Sequence, residues 1–275
     1  MKNRTIAFIG GGNMAFSLIG GLVAGNCPGS NIHVSDPKQE SLDTMEREFG
    51  IVPFLDDNKS AIDGVDAIVL AVKPQIMSAV VAEISDSING TPLIISIAAG
   101  IREGDLQRWL GGGCAIVRTM PNTPALLQSG ATGLYANSMV SAEQKELAES
   151  IMRSVGITAW LSEESQLDAV TALSGSGPAY FFLLMEAMEA AGVEMGIPDE
   201  TARMLTLQTA FGAAKMALES PESSSELRNK VTSPGGTTEQ AINTFHDGGF
   251  DELVSRALTS ARDRSIELAD ILGEK

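Results

Sequence analysis

The sequence has few cysteines, few histidines and few basic residues. Among its 275 residues are two cysteines, two histidines, and 19 lysines and arginines against 35 acidic residues. The residues around Cys27 and Cys114 do not have the spacing of metal ligands. With two histidines, the chain has few residues from which a histidine-based metal site or a Ser-His-Asp triad could be built. The composition therefore argues against both kinds of chemistry.

The shortage of basic residues also limits the partners. A formal net charge of −16 repels phosphate backbones and anionic lipid, so we expect neither nucleic acid nor a membrane as partner. A small anionic ligand would need local donors, such as a helix N-terminus. The N-terminal residues show neither a long apolar stretch nor a small-residue cleavage site, which predicts a cytoplasmic protein.

The apolar content, 44 %, is that of a globular protein, and the length favours two domains. Up to about residue 160, short apolar runs alternate with helix-like stretches, as in a doubly wound parallel sheet whose strands are buried on both faces. We therefore predict a dinucleotide-type α/β domain over residues 1–160 and a helical domain over residues 161–275. The predicted strands are Thr5–Ile9, Ile32–Ser35, Ala67–Val72, Leu93–Ile97 and Ala115–Thr119.

The pattern of the second half predicts long helices and no convincing strand. Helical patterns cover Ala179–Met195, Asp199–Glu219 and Phe250–Leu272, and Glu219–Glu226 is expected to be an exposed, mobile loop. Ala179–Met195 is apolar nearly all round but carries three glutamates, so it is too polar to span a bilayer. Burial in a helical domain or in a subunit interface explains it better.

A glycine-rich motif follows the first predicted strand. Gly10–Ala15 fits Gly-x-Gly-x-x-Ala and leads into a helix. Gly10 would permit the tight turn, Gly12 would let the backbone approach a pyrophosphate, and Ala15 would allow close packing of helix on strand. The start of the helix would then hold the diphosphate of a dinucleotide.

Asp36, at the end of the second predicted strand, has two interpretations. An acid at this position binds ribose hydroxyls and favours NAD over NADP, although Ser35 and Lys38 could offset its charge. Alternatively, Asp36 only caps the following helix.

Two further glycine-rich segments each lead into a predicted helix, Ser174–Tyr180 and Val231–Thr238. Thr237 and Gln240 have the spacing of a capping box, so the backbone amides of residues 236–238 should point outward and could bind a carboxylate. The alternative is that both segments are only turns at helix starts.

These motifs, taken together and in this order, resemble pyrroline-5-carboxylate reductases over essentially the whole chain. The resemblance rests on Phe8–Ala15, Ala71–Pro74, Ser96–Gly100, Met120–Pro124, Leu173–Tyr180 and Val231–Thr238. It implies a Rossmann-like dinucleotide-binding domain followed by an all-helical dimerisation domain. The implied reaction is hydride transfer from NAD(P)H to the C=N bond of 1-pyrroline-5-carboxylate, giving L-proline, with NADPH preferred and NADH possible.

The resemblance also implies roles for individual residues. Thr238 would face the ring nitrogen as the catalytic hydrogen-bond partner, and the segment Ala71–Pro74 would line the nicotinamide. The expected substrate-binding residues are Val231, Ser233, Gly235, Gly236, Thr237 and Thr238. The expected cofactor-binding residues are Gly10, Gly11, Gly12, Asn13, Met14, Ala15, Ser35, Asp36, Asn58, Ala71, Val72, Lys73, Pro74, Ala98, Ala99 and Gly100.

The family forms dimers or larger rings through its C-terminal helices, so a homo-oligomer is implied. Members often carry His-Pro before the substrate loop, where this chain has Ser223-Ser224-Ser225. A β-hydroxyacid dehydrogenase would need a lysine soon after a glycine-rich turn, whereas Gly177 is followed by Pro178, Ala179, Tyr180 and Phe181. A non-catalytic NAD(P)H sensor would not explain the carboxylate-binding turn.

Overall fold

The computed structural model describes residues 3–274. The chain divides into two compact units, one of Met1–Ser176 with Ser260–Lys275 and one of Gly177–Thr259. The first unit contains all the strands of the described residues, and the second is helical.

One sheet forms the centre of the first unit. Its strands are β1 (Ile6–Ile9), β2 (Ile32–Asp36), β3 (Val52–Leu55), β4 (Ala67–Leu70), β5 (Leu93–Ser96), β6 (Ile116–Met120), β7 (Gly130–Ala136) and β8 (Gly156–Trp160). They lie in the order β3-β2-β1-β4-β5-β6-β7-β8. Strands β1 to β6 are parallel, β7 is antiparallel to β6, and β8 is parallel to β7. The predicted doubly wound parallel sheet is therefore confirmed.

Both faces of this sheet are buried, and its central strands β1 and β4 are apolar at every position. In β1, Ile6 and Phe8 belong to the core on one face, and Ala7 and Ile9 belong to the core on the other. All four side chains are fully buried. Successive side chains of a strand point to opposite faces, so an unbroken apolar run requires a cover on each side.

Helices of the first unit supply these covers. They are α1 (Asn13–Ala24), α2 (Gln39–Phe49), α3 (Asn58–Ala61), α4 (Met77–Ser85), α5 (Glu103–Trp109), α6 (Ala142–Arg153) and α7 (Gln166–Val170). Leu18 and Ile19 of α1 and Ile151 of α6 enter one core, whereas Val81 of α4 and Leu106 of α5 enter the other.

Three of the observed strands lie outside the five predicted ones. β3 is a half-buried edge strand that contains Pro53, β7 begins with Gly130 and contains Gly133, and β8 forms the other edge of the sheet. Glycine, proline and partial exposure all weaken the apolar pattern on which the prediction depended.

The second unit begins with α8 (Gly177–Glu194) and α9 (Asp199–Glu219), continues with α10 (Ser224–Lys230) and α11 (Thr237–Asp247), and ends within α12 (Phe250–Gly273). Helices α8 and α9 form a hairpin in which Gly192 lies against Ala202. A Cβ atom added at Gly192 would lie 3.3 Å from the Ala202 Cβ. The three predicted long helices are confirmed within about two residues at each end.

The expectation of a mobile loop over Glu219–Glu226 is wrong for its second half. Ser223 is the N-cap of α10, and Ser223 and Glu226 form a capping box in which each side chain accepts from the other residue's backbone N–H. The side-chain hydrogen bond with Ser223 is the largest cause that lowers the pKa of Glu226. A run of serines followed by glutamate is thus a helix start here.

The boundaries of the two compact units differ from those of the predicted domains, 1–160 and 161–275. Helix α7 packs on β6 and β7, and the end of α12 packs in the first unit, where Leu272 is buried and Ser265 donates to Asp168 at 2.7 Å. Across residues 3–274, every helix is too short or too polar to cross a membrane.

Candidate functional site

The glycine-rich loop joins β1 to α1, as the motif predicts. Gly10 has a φ of +101° and donates its N–H to the Ser35 carbonyl at 2.8 Å. A Cβ atom at Gly10 would lie 2.8 Å from the Ala71 carbonyl oxygen. Both the backbone angle and the close approach of β4 therefore require glycine at this position.

Helix α1 begins beside open space. Gly12 is its N-cap without a side-chain hydrogen bond, and a Cβ atom there would meet nothing within 4 Å. The N–H groups of Asn13 and Met14 lie in the first turn, where a helix has no acceptor of its own. Ala15 is 1 % exposed and packs in the core beneath the loop. An open helix start of this kind suits a diphosphate group.

Asp36 at the end of β2 contacts the glycine-rich loop. Its Oδ2 accepts from the Gly11 N–H at 2.7 Å, and its Oδ1 accepts from the Lys38 N–H at 2.8 Å. Lys38, not Asp36, is the N-cap of α2, and it makes no side-chain cap. The carboxylate thus anchors the loop, which neither interpretation from the sequence included.

Ser35 lies behind the loop rather than at the surface. Its side chain is 1 % exposed, and its Oγ has no hydrogen-bond partner within the described part of the chain. Asn58, in contrast, lies at the start of α3 beyond the edge strand β3, where its Nδ2 donates to Glu83 at 3.1 Å.

The segments Ala71–Pro74 and Ala98–Gly100 follow β4 and β5; β4 pairs with β1, and β5 pairs with β4. The Ala71 N–H donates to the Ile9 carbonyl at 2.8 Å, which places this segment beside Gly10. Lys73 is exposed, and Pro74 begins a short 3₁₀ turn. All three loops lie at the carboxyl edge where the strand order reverses, the usual ligand crevice of such sheets.

A cavity of about 470 Å³ adjoins the same segments. It is lined mainly by apolar atoms and includes Pro74, Gly100, Thr171, Ser176 and Arg264, all of the first unit. Gly100 has a φ of +72°, and Leu272 packs against it. Thr171 and Arg264 were not predicted from the sequence, because their segments carry no pattern beyond helix. Ser176 belongs to the glycine-rich segment Ser174–Tyr180, but it was not predicted as a site residue.

Asn122 was also missed as an individual residue. Its Oδ1 accepts from the Ala131 N–H at 2.9 Å, and its Nδ2 donates to the Ser174 carbonyl and Oγ at 3.2 Å. Ser174 lies in a π-helical turn, Thr171–Gly175, which precedes α8. Such turns are rare and occur frequently at functional sites. A polar residue between two prolines, Pro121 and Pro124, was the available signal.

The predicted substrate turn lies in the second unit and leads into α11. Gly235 has a φ of +73°, and Gly236 is the N-cap without a side-chain hydrogen bond. The predicted capping box between Thr237 and Gln240 is wrong. It requires Thr237 as the N-cap, whereas the N-cap is Gly236. The third residue of the helix is Glu239, whose carboxylate accepts from the Gly235 N–H at 2.8 Å.

The amides of this turn have different roles. The Gly236 N–H donates to the Ser233 carbonyl at 2.9 Å, so it is not free as expected. The N–H groups of Thr237 and Thr238 occupy the first turn of α11 and have no acceptor within the helix. Val231 is 61 % exposed, and Thr238 is half-buried. The turn therefore offers two outward amides and a threonine hydroxyl.

The two groups of predicted site residues lie in different compact units. The cofactor residues belong to the first compact unit, and the substrate residues belong to the second. Residues 3–274 contain no cluster of three or more His, Cys, Asp or Glu side chains that could hold a metal ion. His33 instead contacts the Ala61 carbonyl, and His246 contacts Asp251.

Two family models match the chain. One, described as pyrroline-5-carboxylate reductase dimerisation, matches residues 164–268. The other, described as NADP oxidoreductase coenzyme F420-dependent, matches residues 5–100. The first range contains the substrate turn, and the second contains the glycine-rich loop.

Relatives match over nearly the whole length. A pyrroline-5-carboxylate reductase from Pseudomonas aeruginosa is 53 % identical over 274 residues, covering 100 % of both chains. A crystal structure of the Coxiella burnetii reductase is 47 % identical with a TM-score of 0.93, covering 96 % of this chain and 98 % of that one. That of Plasmodium falciparum, with NADP bound, is 30 % identical with a TM-score of 0.85, covering 98 % and 99 %. The chain therefore belongs to the pyrroline-5-carboxylate reductase family of NAD(P)H-dependent oxidoreductases.

Proposed function

We propose that this protein reduces the C=N bond of 1-pyrroline-5-carboxylate to give L-proline, the last step of proline biosynthesis. The observation that carries the substrate class is the turn before α11, where the free amides of Thr237 and Thr238 suit a carboxylate. Full-length similarity to reductases of this substrate supports the same conclusion.

The reaction needs little acid–base catalysis from the protein's side chains. A bound nicotinamide would supply the hydride, and the C=N carbon of the protonated imine is already electrophilic, so no strong base is needed. The Thr237 and Thr238 amides bind the substrate carboxylate, and the Thr238 hydroxyl oxygen accepts a hydrogen bond from the protonated ring nitrogen. Orientation and exclusion of water then account for most of the catalysis. This fits a turn that contains no histidine, lysine or cysteine.

For the cofactor, Gly10–Ala15 would hold the diphosphate, and Ala71–Pro74 with Ala98–Gly100 would line the nicotinamide. The open space at Gly12 fits such a group. We propose a preference for NADPH, with NADH also accepted, which is supported by the relative that binds NADP. Asp36 opposes this preference by its charge, which the amides of Gly11 and Lys38 partly compensate.

The proposal extends to assembly and organisation. A homodimer or larger homo-oligomer through the C-terminal helices is supported by the match to a dimerisation model. The division into domains 1–160 and 161–275 is kept as the functional division, with the dimerisation match beginning at residue 164. A cytoplasmic location is part of the same proposal, and cell fractionation tests it.

The test is a direct assay of the purified protein. Mixed with 1-pyrroline-5-carboxylate, it should oxidise NADPH, and more slowly NADH, while L-proline forms in equal amount. A β-hydroxyacid offered with NADP should give no reduction, which serves as the control reaction. Absence of cofactor oxidation by the properly folded protein would overturn the proposed function.

A further inference from the structure

Glu239 lies beside the substrate turn without being one of the residues that we expect to touch the substrate. It is the third residue of α11 and half-buried, and its Oε2 accepts from the Gly235 N–H at 2.8 Å. Gly235 has a φ of +73°. The hydrogen bond therefore holds the one residue of the turn whose backbone is in the left-handed region.

This contact determines which donors the turn presents. The Gly235 amide points to Glu239, and the Gly236 amide points to the Ser233 carbonyl. The Thr237 and Thr238 amides are then left for a ligand. Within the described residues, Glu239 is the acceptor of the Gly235 N–H, so without it the Gly235–Gly236 pair would rotate between several conformations.

Two effects of Glu239 on an anionic substrate oppose each other. Its negative charge repels a carboxylate, but the charge is partly exposed, compensated by the Gly235 amide and screened by solvent. Ordering a two-glycine turn at the moment of binding costs more, because glycine has the largest conformational freedom to lose. The balance favours a turn that is ordered in advance.

We propose that Glu239 is a positioning residue that holds the substrate turn, through Gly235, in the conformation that receives the substrate carboxylate. The inference rests on the proposed function of this turn. It concerns binding of the carboxylate and not the hydride transfer, so it predicts an effect on KM for the imine rather than on kcat.

The experiment compares Glu239→Ala with Glu239→Gln in the full-length protein. Glu239→Ala should raise KM for 1-pyrroline-5-carboxylate about tenfold, the scale of one lost hydrogen bond to a charged group, with kcat within about twofold. Glu239→Gln keeps an acceptor oxygen and should restore KM to within about threefold of wild type. Inhibition by L-proline should weaken in Glu239→Ala by the same factor as KM.

The controls separate this role from general stability and from the proposed function. Glu146→Gln removes one exposed negative charge from α6 in the first unit and should leave all constants unchanged. An unchanged or lowered KM in Glu239→Ala would overturn the inference alone, as would a KM for NADPH that rises in parallel. An inactive wild type would instead overturn the proposed function, and the inference with it.

Discussion

Thr238, the second residue of α11, is the side chain that we place at the reacting nitrogen. Thr238→Ala should lower kcat/KM for the imine by roughly ten- to a thousandfold, the scale of losing one oriented hydrogen-bond partner at a reacting centre. Affinity for NADPH, measured by fluorescence titration, should not change.

Thr238→Ser is the matched variant, because it keeps the hydroxyl and the backbone amide. It should retain most of the activity. If Thr238→Ala turned over the imine at the wild-type rate, Thr238 would have no part in the reaction.

The second prediction for a single residue concerns Asp36. Asp36→Asn keeps oxygen and size but removes the charge, so the ratio of NADPH to NADH efficiency should rise by about tenfold, as one screened repulsion of a phosphate is removed. Because Asp36 accepts from the Gly11 amide, Asp36→Ser should produce the same shift with additional loss of affinity for both cofactors. Identical ratios in all three proteins would show that Asp36 only anchors the loop.

Among the elements, the loop after β6 that contains Asn122 is hydrogen-bonded to β7 and to the π-helical turn Thr171–Gly175. Asn122→Ala should lower the free energy of unfolding by about 1–2 kcal/mol, because the Ala131 and Ser174 groups lose their partner. Urea unfolding of both proteins measures the difference. Asn122→Asp retains the acceptor for Ala131 but places a carboxylate against the Ser174 carbonyl, so it should lose at least as much. Equal stability of all three would mean that solvent replaces these hydrogen bonds at no cost.

The elements also show where prediction from sequence succeeds. β1 and β4 could be predicted because each is an apolar run buried on both faces, β5 and β6 because most of their residues are β-branched or apolar and buried, and β2 because Ile32 and Val34 are β-branched and buried. The edge strands β3 and β8 could not, because half-exposed strands with glycine or proline lack that pattern.

The same division holds for the candidate site. The position of the glycine-rich loop between β1 and α1 follows from its spacing, and the structure confirms that placement. The hydrogen bonds of Asp36 with Gly11 and of Glu239 with Gly235 depend on side-chain rotamers and on where α11 begins. A motif does not encode either of these. The roles of the individual site residues stay predictions.

For the whole molecule, the exposed apolar surface of α8 supports the proposed homo-oligomer. Phe181, Phe182 and Leu183 are 65 %, 64 % and 67 % exposed, and a cluster of exposed apolar side chains is typical of an interaction surface. Leu184→Glu places a charge on this helix and should yield smaller, aggregating or inactive species, since a buried unpaired carboxylate is costly. Sedimentation velocity at micromolar concentration measures the change.

Leu127→Glu is the comparison for this variant, because Leu127 is 82 % exposed and lies in the first unit. It should leave the sedimentation coefficient unchanged. A wild-type protein that is monomeric and fully active would contradict the proposed assembly.

The last helix has a consequence for how the protein is made. Residues 260–273 of α12 belong to the first compact unit, where Leu272 is buried and Asp270 pairs with Arg102 at 2.7 Å. The ribosome synthesises the chain from the N-terminus onward. Residues 3–176 therefore emerge well before the residues of α12 that pack against them. The nascent first unit therefore exposes part of its core until the end of α12 has emerged, and only then can it complete its fold.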